Sequence, residues 1–267
     1  MCKTLMALDL KTIERHGDEL YEALIGRYCV PPLRNRVSGI TVEDGYRIQE
    51  HMVARMVQAG EEIVGKKIGV TSKAVQDLMG VYEPDFGQLT SCMKFSSGDE
   101  INVETMIQPR VEGEIAFVLK RDLVGPNVTA TDVLSATSHV LPCFEIVDSR
   151  IKDWDIRIQD TIADNASCGA FVLGTAAVDP RDLDLSLVGM VIEKNGEVAA
   201  TGAGAAVQGS PVNAIAWLAN RLGALGVPFR AGEVILSGSL AALIPVSRGD
   251  TFTAEFGHLG KCEVSFS

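Results

Sequence analysis

Apolar positions set out two kinds of rhythm along the chain. After Asp9, the residues Leu10, Ile13, Leu20 and Leu24 recur at roughly helical spacing and predict a first helix. A second helix is expected from Thr41, a good N-cap with Glu43 and Asp44 in its first turn. Its buried stripe is Ile48, Met52, Val53, Met56 and Val57, and Gly60 is placed to stop it. Pro31-Pro32 breaks the chain between the two, so the first 80 residues read as mainly helical. From about residue 109 the period changes to two. Val111, Ile115, Phe117 and Leu119 fall on one side of a strand, and Glu112, Glu114, Ala116 and Val118 on the other. Leu141 to Val147 is a short apolar run, and Val188–Lys194 and Glu197–Thr201 flank Asn195-Gly196 as a hairpin. Further strands are expected at Glu233–Ser237, Thr251–Phe256 and Lys261–Phe266. Two helices interrupt them, one opened by Thr129 with Asp132, the other by Ser210-Pro211 and closed by Gly226. Strands in runs with few crossover helices argue for an α+β fold.

Composition narrows the partners. The 267 residues suit one large domain or two small ones, and 46% hydrophobic against 22% charged residues suits a packed core. A formal charge of −11 with no basic run repels nucleic acid and anionic lipid, so neither is expected as a partner. No apolar stretch approaches the length of a membrane span. The opening Met1 to Asp9 is too short and too soon charged for the apolar core of a signal peptide. The six cysteines, at 2, 29, 92, 143, 168 and 262, form no C-x-x-C pair and read as reduced thiols, so a cytoplasmic location is expected.

The chemistry concentrates in a few places. Glu112 and Glu114 share one face of a strand, where two carboxylates about 5 Å apart repel by roughly 3 kcal/mol at an effective dielectric near 20. A cation, a shared proton or plain solvent relieves that repulsion. Glu145 lies inside the apolar run Cys143-Phe144-Glu145-Ile146-Val147, and a Glu buried there needs an Arg or a metal. Together the three make a hard, all-oxygen set suited to Mg²⁺ or Mn²⁺ rather than Zn²⁺, although spacing alone does not bring them together. Lys66 and Lys67 between Gly65 and Gly69 are either solvated lysines or a means of neutralising an anionic substrate. Asp85 after Pro84 reads as a turn residue, and Asp160 to Gly169 as a loop that does or does not line a pocket. Cys168 has no evident base beside it. Gly202-Ala203-Gly204 lacks the third glycine of a dinucleotide fingerprint, Ser237-Gly238-Ser239 is no nucleophile elbow, and the histidines at 16, 51, 139 and 258 have no ligand spacing.

Five blocks occur in order: Gly65-Lys66-Lys67-Ile68-Gly69-Val70-Thr71-Ser72-Lys73, Glu83-Pro84-Asp85-Phe86-Gly87, Pro109 to Phe117 with its Glu112-Gly113-Glu114, Glu145 to Arg150, and Ala163-Asp164-Asn165-Ala166-Ser167. From about residue 17 to the end the chain resembles the 2-keto-4-pentenoate hydratases of aromatic meta-cleavage pathways, in the fumarylacetoacetate hydrolase superfamily. The resemblance implies a mixed β-roll catalytic domain at 81–267 behind a smaller helical region at 1–80. It implies Mg²⁺ or Mn²⁺ held by Glu112, Glu114 and Glu145, the last lying 145 − 114 = 31 residues on. It also implies a catalytic Lys67 and Asp85, with Asn165 and Ser167 as weaker candidates for binding substrate or water. The reaction implied adds water to 2-hydroxypenta-2,4-dienoate and yields 4-hydroxy-2-oxopentanoate. Two alternatives stand beside it: a 4-oxalocrotonate decarboxylase, which shares the metal site but carries an apolar residue in place of Asp85, and a non-catalytic partner subunit. Members of this family assemble as homo-oligomers, often pentamers or decamers, and associate with other enzymes of the pathway.

Overall fold

Local capping starts the helices where the sequence leads one to expect. In the computed structural model, which describes residues 7–267, Asp9 caps helix α1 (Leu10–Gly26) by accepting from Thr12 N. Thr41 and Asp44 close a capping box on α2 (Val42–Gln58). The opening Met1–Met6, with Cys2, lies outside the described residues. Next come β1 (Ile63–Gly69), α3 (Lys73–Met79), β2 (Asp85–Thr90), β3 (Lys94–Ser96) and β4 (Glu100–Ile101). The long pair β5 (Arg110–Leu119) and β6 (Thr137–Val147) is joined through α4 (Ala130–Ala136). They are followed by α5 (Ile158–Ala163), β7 (Cys168–Leu173), β8 (Gly189–Lys194), β9 (Glu197–Ala203) and α6 (Pro211–Gly223). The chain ends with β10 (Val234–Leu236), β11 (Ile244–Pro245), β12 (Thr251–Phe256) and β13 (Gly260–Phe266).

These strands form two mixed sheets, an α+β architecture. The larger runs β2-β1-β10-β5-β6-β7-β3, with β11 added beside β5; the smaller runs β4-β13-β12-β8-β9. Alternation along β5 and β6 decides which sheet face meets which layer. Val111, Ile115 and Phe117, with Phe144 and Ile146, pack against Met190, Ile192, Phe252 and Phe256 of the smaller sheet and against α4 and α6. The opposite face carries Ala116, Leu141 and Cys143, and is covered by Tyr21, Leu24 and Met56 of the N-terminal helices. Glu112, Glu114 and Glu145 belong to this second face.

Three expectations need correction. Residues 63–69, inside the stretch read as mainly helical, form a strand that pairs with β2 and β10 within the large sheet. Its Gly and Lys residues hide the strand pattern because both buried lysines find acidic partners, Lys66 in half-buried Glu233 and Lys67 in buried Glu145. Asp85 is the first residue of β2 rather than a turn residue, opposite Gly69 in the ladder. The Asp160–Gly169 stretch is a loop only at its centre, for α5 occupies its start and β7 its end. Among the described residues no helix is long and apolar enough to cross a membrane.

Candidate active site

Pairing of β5 with β6 builds the acidic centre. Glu112 stands directly opposite Glu145, and Glu114 lies one pleat along, opposite Cys143. One carboxylate oxygen from each of the three falls within 4.8 Å of the others. Glu114 and Glu145 are fully buried, whereas Glu112 lines a cavity of about 600 Å³ above them. Gly238 N donates to Glu114 Oε2 at 2.8 Å, but Glu114 Oε1 and Glu145 Oε2 have no partner, and Glu145 Oε1 has only its ion pair with Lys67. Buried carboxylate oxygens without donors are costly, and a divalent cation taking one oxygen from each glutamate would offset that cost. The donor set, three hard oxygens with no sulfur or imidazole, fits an ion of the Mg²⁺ type.

Electrostatics tell the same story. Burial, and then the charge of Glu145, push the Glu112 carboxyl up to about 8. Glu114 is held well above the glutamate range by burial and by Glu145 and Glu112. Without a bound cation, Glu112 retains its proton at neutral pH.

One cation of the protein already faces the cluster. Lys66 and Lys67, adjacent on β1, point to opposite faces. Lys66 Nζ is held by both carboxylate oxygens of Glu233, at 2.6 and 2.7 Å, and lies over the Phe229 ring, away from the site. Lys67 Nζ sits 3.1 Å from Glu145 Oε1 and donates to the Ala166 carbonyl at 3.2 Å. Burial works against its charge, but Glu145, Asp85 and Glu112 outweigh burial and raise its pKa, so it stays an ammonium. Asp85 closes the group. Burial raises its pKa, opposed by Lys67 and reinforced by Glu145, and its Oδ1 has no hydrogen-bond partner. Gly69 makes the meeting possible. A Cβ there would lie 2.2 Å from Asp85 Oδ1 and 3.3 Å from Lys67 Nζ, so any side chain would occupy the space between acid and amine.

Asn165 and Ser167 lie on a turn beside this group. Ser167 lines the cavity, and its hydroxyl donates to Asp164 Oδ2 at 3.2 Å. Asn165 is fully buried with its amide spent on the backbone of Gln88: Oδ1 accepts from Gln88 N at 2.8 Å and Nδ2 donates to Gln88 O at 2.9 Å. The turn is unusual, since Asn165, Ala166 and Ser167 have φ of 53°, 50° and 53°. Left-handed backbone costs non-glycine residues about 1–2 kcal/mol each. The upper cavity wall is apolar, with Trp154, Ile156, Leu240 and Leu243. Lys67 is the one basic side chain among the described residues that line the cavity.

Residues 69–267 match the family model described as fumarylacetoacetate (FAA) hydrolase, C-terminal. The chain belongs to the fumarylacetoacetate hydrolase family. Within that family it is 54% identical over 261 residues to the 2-hydroxyhexa-2,4-dienoate hydratase of Comamonas testosteroni, covering 97% of this chain and 99% of that one. It is 59% identical over 221 residues, 82% of this chain and 100% of the other, to a 2-hydroxypent-2,4-dienoate hydratase of Pseudomonas putida. Among solved structures, the 4-oxalocrotonate decarboxylase of Pseudomonas putida G7, complexed with magnesium and adipate, superposes with a TM-score of 0.95 at 33% identity. That superposition covers 98% of this chain and 99% of the other.

In this fumarylacetoacetate hydrolase chain, sequence reasoning missed the support beneath the site. Arg150 is wholly buried, and Asp164 is its ionic partner, with Nε to Oδ1 at 2.5 Å. The signal was present, because an Arg in the run Val147-Asp148-Ser149-Arg150-Ile151 needs a buried acid if the run is interior. Nothing in the spacing names Asp164 as that acid. The Gly238 backbone donor on Glu114 left no such signal, since a backbone N–H carries no sequence mark.

Proposed function

We propose that the protein is a divalent-metal-dependent hydratase that adds water to 2-hydroxypenta-2,4-dienoate and gives 4-hydroxy-2-oxopentanoate. The observation that carries the reading is the convergence of three glutamates, two of them with unpartnered buried oxygens, with one ammonium and one buried aspartate beside a cavity whose upper wall is apolar. The naming of the two hydratase relatives supports it. Glu112, Glu114 and Glu145 are the proposed ligands, with Mg²⁺ or Mn²⁺ as the ion. When bound, such an ion supplies Lewis-acid polarisation and orientation of a 2-oxo acid.

The chain's own groups then divide the proton work. Lys67, kept charged by the acids around it, faces the negative charge that develops on the substrate's 2-oxygen and stabilises it. Asp85, buried and with its carboxyl raised above the usual aspartate range, is placed to give a proton and take one back. In ketonisation the 2-hydroxyl proton passes to solvent while Asp85 gives its proton to C5. Hydration then adds hydroxyl at C4, and the ionised Asp85 takes the proton lost by water and returns it to C3. The apolar wall excludes bulk water and cradles the hydrocarbon end. With Lys67 as the sole lining cation among the described residues, a second carboxylate on the substrate has no counter-charge, which favours a monocarboxylate over 4-oxalocrotonate.

An ultraviolet assay of 2-hydroxypenta-2,4-dienoate loss tests the reading. Turnover is expected with Mg²⁺ or Mn²⁺, none in excess EDTA, and a fall of about 10²–10⁴-fold for Asp85→Asn at little-changed metal affinity. Full activity in EDTA removes the metal role, and faster CO₂ release from 4-oxalocrotonate than hydration of the dienoate replaces the hydratase by a decarboxylase.

A further inference from the structure

The turn Asn165–Ser167 is built at a cost, and the direction in which it points identifies a role. Three consecutive non-glycine residues in the left-handed region do not persist unless their surroundings impose it. Two independent anchors do so. The first is the buried Arg150–Asp164 pair. Asp164 accepts from Arg150 Nε at 2.5 Å, from Arg150 N at 3.0 Å, from Ser149 Oγ at 3.0 Å and from Ser167 Oγ at 3.2 Å. The same guanidinium binds the carbonyl of Cys168 at 2.8 Å and the carbonyl of Asp164, which lie on either side of the turn. Both ends of the turn are therefore drawn onto one planar cation. The second anchor is Asn165, whose amide replaces a missing strand partner at Gln88 on the sheet edge. Gly87 permits this approach, because a Cβ there would stand 2.5 Å from the Asn165 carbonyl oxygen.

What the turn presents is the Ala166 carbonyl, 3.2 Å from Lys67 Nζ. Among the described residues, the one close ionic contact of that ammonium is Glu145 Oε1 at 3.1 Å. A flexible lysine beside three carboxylates has many orientations of similar energy, and a fixed neutral acceptor on its other side selects one. We propose that Arg150, Asp164 and Asn165 are positioning residues for Lys67: they hold the left-handed turn so that the Ala166 carbonyl orients the ammonium toward the substrate space. This reading gives Asn165 a role through Lys67 and not through contact with substrate. It rests on the proposed part of Lys67 in the reaction.

The test compares Asn165→Ala, Asn165→Gly and Lys67→Met in the full chain. Alanine removes the amide and resists positive φ, whereas glycine removes the amide but enters the left-handed region freely. Asn165→Ala is expected to lower kcat tenfold or more while KM and Mn²⁺ affinity change less than about threefold, since misplacing one group is enough to cost that much. Asn165→Gly is expected to recover part of the loss. In ¹⁵N-lysine spectra, the Lys67 ammonium signal is expected to be protected in the wild type and to broaden in Asn165→Ala. Where Asn165→Ala gives no folded protein, the isosteric Asn165→Asp carries the same expectation, because it sets an oxygen against the Gln88 carbonyl. If kcat, KM and Mn²⁺ affinity decline together in step with thermal stability, the role is structural only and the inference is wrong. If the Asn165 variants turn over as the wild type does while Lys67→Met is inactive, the positioning inference alone fails. If Lys67→Met itself retains wild-type turnover, the role of Lys67 fails and the positioning role fails with it.

Discussion

At the scale of single residues, the carboxylates store the molecule's response to pH. Glu112 keeps its proton up to about 8 in the folded protein but loses it near 4.5 when unfolded. The folded state therefore binds the extra proton between those values. Glu112's contribution to stability is complete below about 4.5 and is lost as pH rises through 8. In chelator, the melting temperature of the wild type relative to Glu112→Gln should fall between pH 5 and pH 8, as read by scanning calorimetry at each pH. Saturating Mg²⁺ or Mn²⁺ should reverse the trend, because the cation binds only the ionised form, and apparent affinity should rise about tenfold per pH unit for each proton displaced. A wild-type advantage that grows with pH in chelator would show that Glu112 is ionised in the empty protein. The residue types of this centre were readable in advance; their state of charge was not. Burial and mutual distance set it, and neither appears in a list of residues.

Elements were legible where their signals are local. The caps at Asp9, Thr41, Thr129 and Ser210-Pro211 begin helices as expected, and Asn195-Gly196 turns the β8–β9 hairpin with both residues at positive φ. Such signals act within four residues, so no distant partner is needed to read them. β1, β2 and α5 were missed for the opposite reason. Lys66 and Lys67 stand where apolar side chains would mark a buried strand, and only Glu233 and Glu145, from far along the chain, make their burial tolerable. The capping box of α2 has a wider effect than its own helix. Asp44 also accepts from Leu8 N, and Gln49 on the same helix donates to the carbonyls of Phe86 and Ile162, beside Asp85 and the left-handed turn. Thr41→Ala should cost about 1 kcal/mol, seen as a lower urea midpoint at unchanged slope. A changed slope would mean that the cap controls more than the start of one helix.

For the whole molecule, the helical region and the sheets share one apolar cluster. Tyr21, Leu24 and Met56 cover the sheet face on which Leu89, Ala116, Cys143 and Phe171 lie beside the glutamates. The two parts are therefore expected to unfold together, with a single endotherm whose calorimetric and van't Hoff enthalpies agree; two resolved transitions would separate them. The amino-acid sequence by itself determined the helix starts, the alternation that places Glu112 and Glu114 on one face, and the family resemblance spread over five blocks. Pairing of β5 with β6 decided that Glu145 meets that face, and the ladder between β1 and β2 decided that Lys67 and Asp85 join it. The Arg150–Asp164 pair and the left-handed turn were likewise decided only in three dimensions. The physical reason is the range of the forces involved. Capping and side-chain periodicity act between near neighbours in the chain, whereas charge pairing and desolvation depend on distances that exist only after the sheets have packed.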